Sequence, residues 1–171
     1  VSGGSAYQLF GSSGIYTLQH ISGASRTTFS DATSSAWDVT AAKQTSSGFD
    51  VLLEGSDGTS KEGYNYVWST NSSGVLFNNG SGWLTDAETE SHAEGYENKF
   101  GKDFNNDGLV SGGSAYQLFG SSGIYTLQSR NGVTFSDDFS SLWDVTAAKQ
   151  TSSGFDVLFE GTDGTSKEGY N

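Results

Sequence analysis

The sequence predicts a mainly β protein: a β-rich α+β fold of antiparallel strands and hairpins, with one helix per repeat, in a tandem array. Three observations carry that prediction. The 171 residues include 24 glycines and neither proline nor methionine, which suits short strands and tight turns better than packed helices. Apolar and polar residues alternate in short runs, the period of a half-buried strand. Residues 1–19, VSGGSAYQLFGSSGIYTLQ, recur unchanged at 110–128, an offset of 109. That offset is the size of a domain rather than of a stacked solenoid unit.

The duplication sets the domain organisation. WDVTAAKQTSSGFDVL occurs at 37–52 and 143–158, and DGTSKEGYN at 57–65 and 163–171. Residues 1–109 therefore read as a complete repeat, built of a flank, 1–65, and an unduplicated segment, 66–109. Residues 110–171 read as a partial second repeat equivalent to 1–65. Near-identical copies argue for action by length, multivalency or self-association rather than for parts with separate chemical tasks.

Within a repeat the elements follow in order. Residues 6–10 and 15–18 alternate around the turn Gly11-Ser-Ser-Gly14 and predict a hairpin, which returns at 115–127. The stretch 37–43 reads as either a short helix or an irregular strand. Residues 49–54 and 64–69 predict strands separated by the turn-rich GSDGTSKEG, and 74–77 with 83–85 suggests a further pair. Residues 85–100 predict the helix. Thr85 and Glu88 have capping-box spacing, acids crowd the first turns where the helix dipole favours them, and Ala93, Tyr96 and Phe100 fall on one face.

Composition narrows the function classes. One-third hydrophobic residues with 13% aromatics supply a packed core, which low-hydrophobicity disordered chains lack. A net charge of −12 with only eight Lys and Arg disfavours nucleic acid and favours divalent cations. The most acidic segment is 66–109. No apolar run reaches the 18 or so residues of a membrane-spanning helix. The absence of cysteine excludes disulfides and thiol chemistry. The chain opens on Val1 without a charged start and apolar run, and so reads as a mature or excised segment of something larger.

One motif carries metal chemistry. After the helix comes Asp103-Phe-Asn105-Asn-Asp107-Gly108-Leu109-Val110, with oxygen-bearing side chains at the first, third and fifth positions and glycine at the sixth. This is the first half of an EF-hand calcium loop, in which Asp103, Asn105, Asp107 and the Leu109 carbonyl are the expected ligands. The second half departs from the pattern, because Ser111 and Ser114 stand at the ninth position and at the twelfth, where a bidentate glutamate would complete the sphere. Asp50, Glu54 and Asp57 are donors that could replace it. The alternative is an Asx-rich turn that ends a helix without any metal. If calcium binds, its role is structural, fixing the joint between repeats.

The remaining polar residues point away from catalysis. His20 has Ser129 as its duplicate, His92 sits among Glu88, Glu90 and Glu94 on a solvated face, and the Gly-flanked serines lack a nucleophile-elbow setting. Twenty acids make chance carboxylate pairs common, so the sequence predicts no enzyme. Among the aromatics, Trp68 fits a core strand, whereas Trp83 beside Gly80 and Gly82 is the candidate for stacking on a sugar ring.

The succession WDVTAAKQTSSGFDVLLEG, GYNYVWSTNSSG, GSGW and FGKDFNNDGLV resembles the tryptophan-rich repeat at the C-termini of secreted cyanobacterial and other bacterial proteins. The likeness covers nearly all of residues 5–110 and the matching part of the second copy. It implies a secreted structural or adhesive module with no catalytic residues. The expected function is thus a calcium-stiffened structural repeat of an extracellular filament or large surface protein. Its partner would be itself, by head-to-tail completion of the partial repeat; a module binding surface glycans is the alternative.

Overall fold

The computed structural model describes residues 6–33, 35–78, 80–110, 115–136, 142–162, 166–167 and 169. The chain forms two compact units, Val1–Asp86 and Ala87–Asn171. Their boundary falls inside the unduplicated segment, not at the end of the sequence period. The fold is mainly β, and its sheets are antiparallel throughout.

In the first unit the predicted hairpin is β1 (Gln8–Gly11) with β2 (Gly14–Thr17), in the register Gln8↔Thr17. A second hairpin follows, β3 (Gln19–Ser22) with β4 (Ser25–Thr28). It gave no sequence signal because nearly all of its residues are exposed, and a strand without a buried face shows no alternation. The main sheet runs β5 (Trp37–Gln44), β6 (Gly48–Gly55), β7 (Tyr64–Asn71), β8 (Leu76–Asn78). The ambiguous stretch 37–43 is therefore a strand. Its irregularity is a register shift between Val39 and Ala41.

The expected pairing of 74–77 with 83–85 does not form. Instead β8 pairs with the end of β7, through Thr70↔Leu76, and β9 (Leu84–Thr85) pairs with its beginning, through Tyr64↔Thr85. Both are too short to span β7, so they share its outer edge in tandem. Tyr7, Leu9, Leu18, Val39, Phe49, Val51 and Leu53 form the core. Phe49, Val51 and Leu53 are alternate positions of β6, Leu9 and Val39 come from β1 and β5, and Tyr7 and Leu18 flank the first hairpin; each side chain contributes about 1.5–3 kcal/mol by burial.

The single helix expected over 85–100 is instead two short ones, α1 (Asp86–Glu90) and α2 (Tyr96–Phe100). Thr85 belongs to β9, and Ala93 lies in the turn between the helices. Two features break the helix. Glu90 and Glu94 would repel at i, i+4 spacing across the break, and Gly95 takes the left-handed conformation, φ 59°. The bend buries Glu97 together with Tyr96.

The flank that follows repeats the first unit's elements. A two-residue strand, β10 (Leu109–Val110), pairs with β11 (Gln117–Gly120), which forms a hairpin with β12 (Gly123–Thr126) in the register of β1 and β2. Then β13 (Trp143–Gln150) pairs with β14 (Phe155–Gly161), with the same irregularity, now between Val145 and Ala147. The tie between hairpin and sheet is also duplicated. Ser12 N–H donates to Gln44 Oε1 at 2.7 Å and Ser121 N–H to Gln150 Oε1 at 2.7 Å, while Tyr16 packs on Phe49 as Tyr125 does on Phe155.

Candidate functional site, an acidic loop and an open strand edge

The loop 103–109 has the internal bonding its sequence suggests. Asp103 Oδ2 accepts the Gly108 N–H at 2.9 Å, Asn105 Oδ1 the Asp107 N–H at 3.1 Å, and Asp107 Oδ1 the Leu109 N–H at 2.7 Å. Asn106 is left-handed, φ 61°, as is Gly108. Glycine is required at 108, because a Cβ there would fall 1.7 Å from the Ala148 carbonyl oxygen. The loop sits on β13 and β11: Asp107 O accepts the Ala148 N–H at 2.8 Å, and Gly108 O the Phe119 N–H at 2.8 Å.

Two carboxylates from the stretch expected to be a single helix join the loop. Glu90 hydrogen-bonds to Asn105, and Glu97 Oε1 accepts the Phe104 N–H at 2.7 Å. Burial first, and then the charges of Asp107, Glu97 and Asp103, push the Glu90 carboxyl above the usual range, with the Asn105 bond opposing. The signal that could have found them was Gly95, since a helix broken there turns its ends inward. Of the donors proposed from sequence, Asp50 accepts from Ser69 Oγ at 2.9 Å. Asp50, Glu54 and Asp57 all belong to the first unit. Ser111 and Ser114 lie outside the described residues.

These residues fit a hard cation on one specific count: Asp103 Oδ1 is buried without a hydrogen-bond partner, a state that costs about 1–3 kcal/mol for a polar atom and more for a charge. Among the described residues no three His, Cys, Asp or Glu side chains converge as a ready-made metal cluster. A cation would accordingly draw on the Asn105 amide oxygen and the Leu109 carbonyl beside Asp103 and Asp107, with Glu90, bonded to Asn105, as a further donor.

Trp83 is half-buried, its ring edge-on to Tyr66 at 5.3 Å, with Lys61 Nζ 4.8 Å from its centroid. An aromatic cleft of the first unit lies elsewhere, lined by His20, Phe29, Tyr66, Trp68 and Leu76. His92 stacks on Tyr96 at 4.4 Å, and its Nδ1 accepts the Glu94 N–H at 3.3 Å. No helix among the described residues is long and apolar enough to cross a membrane.

The duplicated sheet is the other candidate, because one strand pair meets two environments. In the first unit β6 is paired on both edges; no described strand pairs with the outer edge of β14. Leu52 of β6 is 1% exposed and its equivalent Leu158 41%. The hairpins differ in the opposite sense: Ile15 is 60% exposed and Ile124 39%, the latter under Gly101 of the 87–110 segment. Gln117 Oε1 likewise accepts from Asn98 Nδ2 at 3.1 Å. One unit thus carries the β7–β9 half of the unduplicated segment, and the other carries its helix-and-loop half.

A comparison with protein-family models, curated proteins and solved structures finds no match to this chain.

Proposed function

We propose that the chain is a structural repeat module of an extracellular filament or large surface protein, stiffened by calcium and joined end to end by completion of partial repeats. The observation that carries this reading is the unequal burial of one strand in two copies, Leu52 against Leu158. Each flank matches a different half of the 66–109 segment, so that segment acts as the joint between successive flanks. An open sheet edge recruits further strands.

Calcium has a defined place in this reading. Held by Asp103, Asn105, Asp107, the Leu109 carbonyl and Glu90, it would neutralise carboxylates that otherwise repel and lock the loop against β13. Extracellular calcium, at millimolar concentration, fills even weak sites of this kind. The test is light scattering and electron microscopy of the chain across concentration, in calcium and in chelator. End-to-end oligomers that shorten in chelator are expected. A strictly monomeric chain, folded in both units at every concentration, would contradict the reading.

The glycan-binding alternative draws its support from Trp83 and from the aromatic cleft of the first unit. Phe29, Tyr66 and Trp68 line that cleft beside His20 while packing on one another, and the Trp83 ring is met by Tyr66 and Lys61. Glycan-array binding abolished by His20→Trp, with folding intact, would favour it.

A further inference from the structure

The two copies of the strand pair disclose more than an open edge, because the first copy shows what covers it. There β7 lies along β6 in the register Val51↔Trp68, Leu52↔Val67 and Leu53↔Tyr66. The sequence 154–161, GFDVLFEG, differs from the β6 sequence GFDVLLEG only at Phe159 for Leu53. We propose that the outer edge of β14 is a strand-acceptor site whose occupant is a segment with the sequence of residues 64–85, supplied by a further copy of the repeat. It would pair in the same register, Val157 with Trp68, Leu158 with Val67 and Phe159 with Tyr66. The inference rests on the structural-repeat reading and adds the identity and register of the joining strand.

Three details of the second copy fit that occupant. First, Gly154 is a glycine with nothing within 4 Å of where its Cβ would sit, while in the first copy a Cβ on Gly48 would fall 1.9 Å from the Thr70 carbonyl oxygen. The second copy keeps clear a space that only β7 fills in the first. Second, Trp68 packs edge-on against Trp37 at 5.2 Å, and in the second copy Lys167 lies over the equivalent Trp143 at 5.7 Å. Its counterpart Lys61 covers Trp83 instead, so Lys167 lies on the aromatic surface that Trp68 meets in the first copy. Third, β14 lacks some of the usual defences of an exposed edge. It carries no lysine and no proline, and its irregularity lies on β13. Leu158 projects between exposed Asp156 and Glu160, and in the first copy the residue matching Asp156 accepts the Ser69 hydroxyl of the covering strand.

The experiment titrates a synthetic peptide of residues 64–86 into the full chain, read by calorimetry and by amide hydrogen exchange. Saturable one-to-one binding is expected, with exchange at 155–160 slowed at least about tenfold. Leu158→Lys should weaken binding by about tenfold or more, and the variant stays folded because that side chain faces solvent in the free chain. Absence of binding, equal binding of a scrambled peptide, or protection confined to residues outside 143–161 would overturn the inference. Failure of the peptide while the chain still forms end-to-end oligomers overturns the strand assignment and leaves the array reading standing. Peptide binding without any association of the chain does the reverse.

Discussion

Leucine-to-alanine substitution at positions 52 and 158 puts one perturbation into two copies of the same strand. Leu52 is 1% exposed and Leu158 41%. Truncating leucine to alanine in a packed site loses about 2–5 kcal/mol, transfer and cavity together. At Leu158 roughly three-fifths of the side chain is out of water, so the transfer loss is about 1–1.5 kcal/mol. The open side leaves no cavity to add to it. Leu52→Ala should therefore cost about 3 kcal/mol and Leu158→Ala about 1 kcal/mol. Because two units need not unfold together, the assay is native-state hydrogen exchange read separately at β5–β6 and β13–β14. Equal losses at both hairpins would refute the reading that the two copies of the strand are packed differently.

Three further outcomes follow from the loop. Asp103→Ala should abolish calcium-dependent stabilisation, measured as the difference in thermal midpoint between calcium and chelator; a midpoint indifferent to calcium in the parent chain would retire the metal. Glu90→Gln should act in opposite directions, stabilising the metal-free protein while weakening calcium binding in calorimetry. The sign follows from its raised carboxyl: the folded state holds the proton more tightly than the unfolded chain, so this contribution is largest below the ordinary value of 4.5 and is lost as pH rises above it. Metal-free unfolding followed upward from pH 4.5 should show that loss in the parent and not in Glu90→Gln. Gly108→Val should detach the loop from β13, since a Cβ there meets the Ala148 carbonyl, and exchange at the Ala148 amide should rise by about tenfold or more.

Much of this architecture is legible in the sequence where burial is one-sided. The β1–β2 hairpin, β6, β7 and the duplicated strands carry alternation or an apolar run, and the structure forms them where that pattern lies. Signals weaken where burial is absent or two-sided. The exposed β3–β4 hairpin shows no alternation, and β8 and β9 are too short to declare a partner. The 85–100 stretch carried a helix-start signature, yet like charges and Gly95 broke it, a result that local pattern does not weigh against tertiary contacts. The loop was legible at Asp103, Asn105 and Asp107 because its ligands alternate within a few residues. Glu90 was not, because its approach depends on the helix break.

The repeat was legible, but its structural phase was not. Sequence identity begins a new copy at Val110, whereas the compact units divide after Asp86, within the segment that has no duplicate. Identity reports which residues match; packing decides which flank each half of the segment serves. Here β7–β9 complete the flank before them, and the helices and loop cover the flank after them.

The most direct test of that division appends the sequence of residues 66–86 after Asn171 and measures hydrogen exchange along β14. The account predicts that amides 155–160 of the extended chain become as protected as those of β6, and that Leu158→Ala then costs as much as Leu52→Ala. Unchanged exchange at β14, with the added residues remaining unprotected, would contradict it.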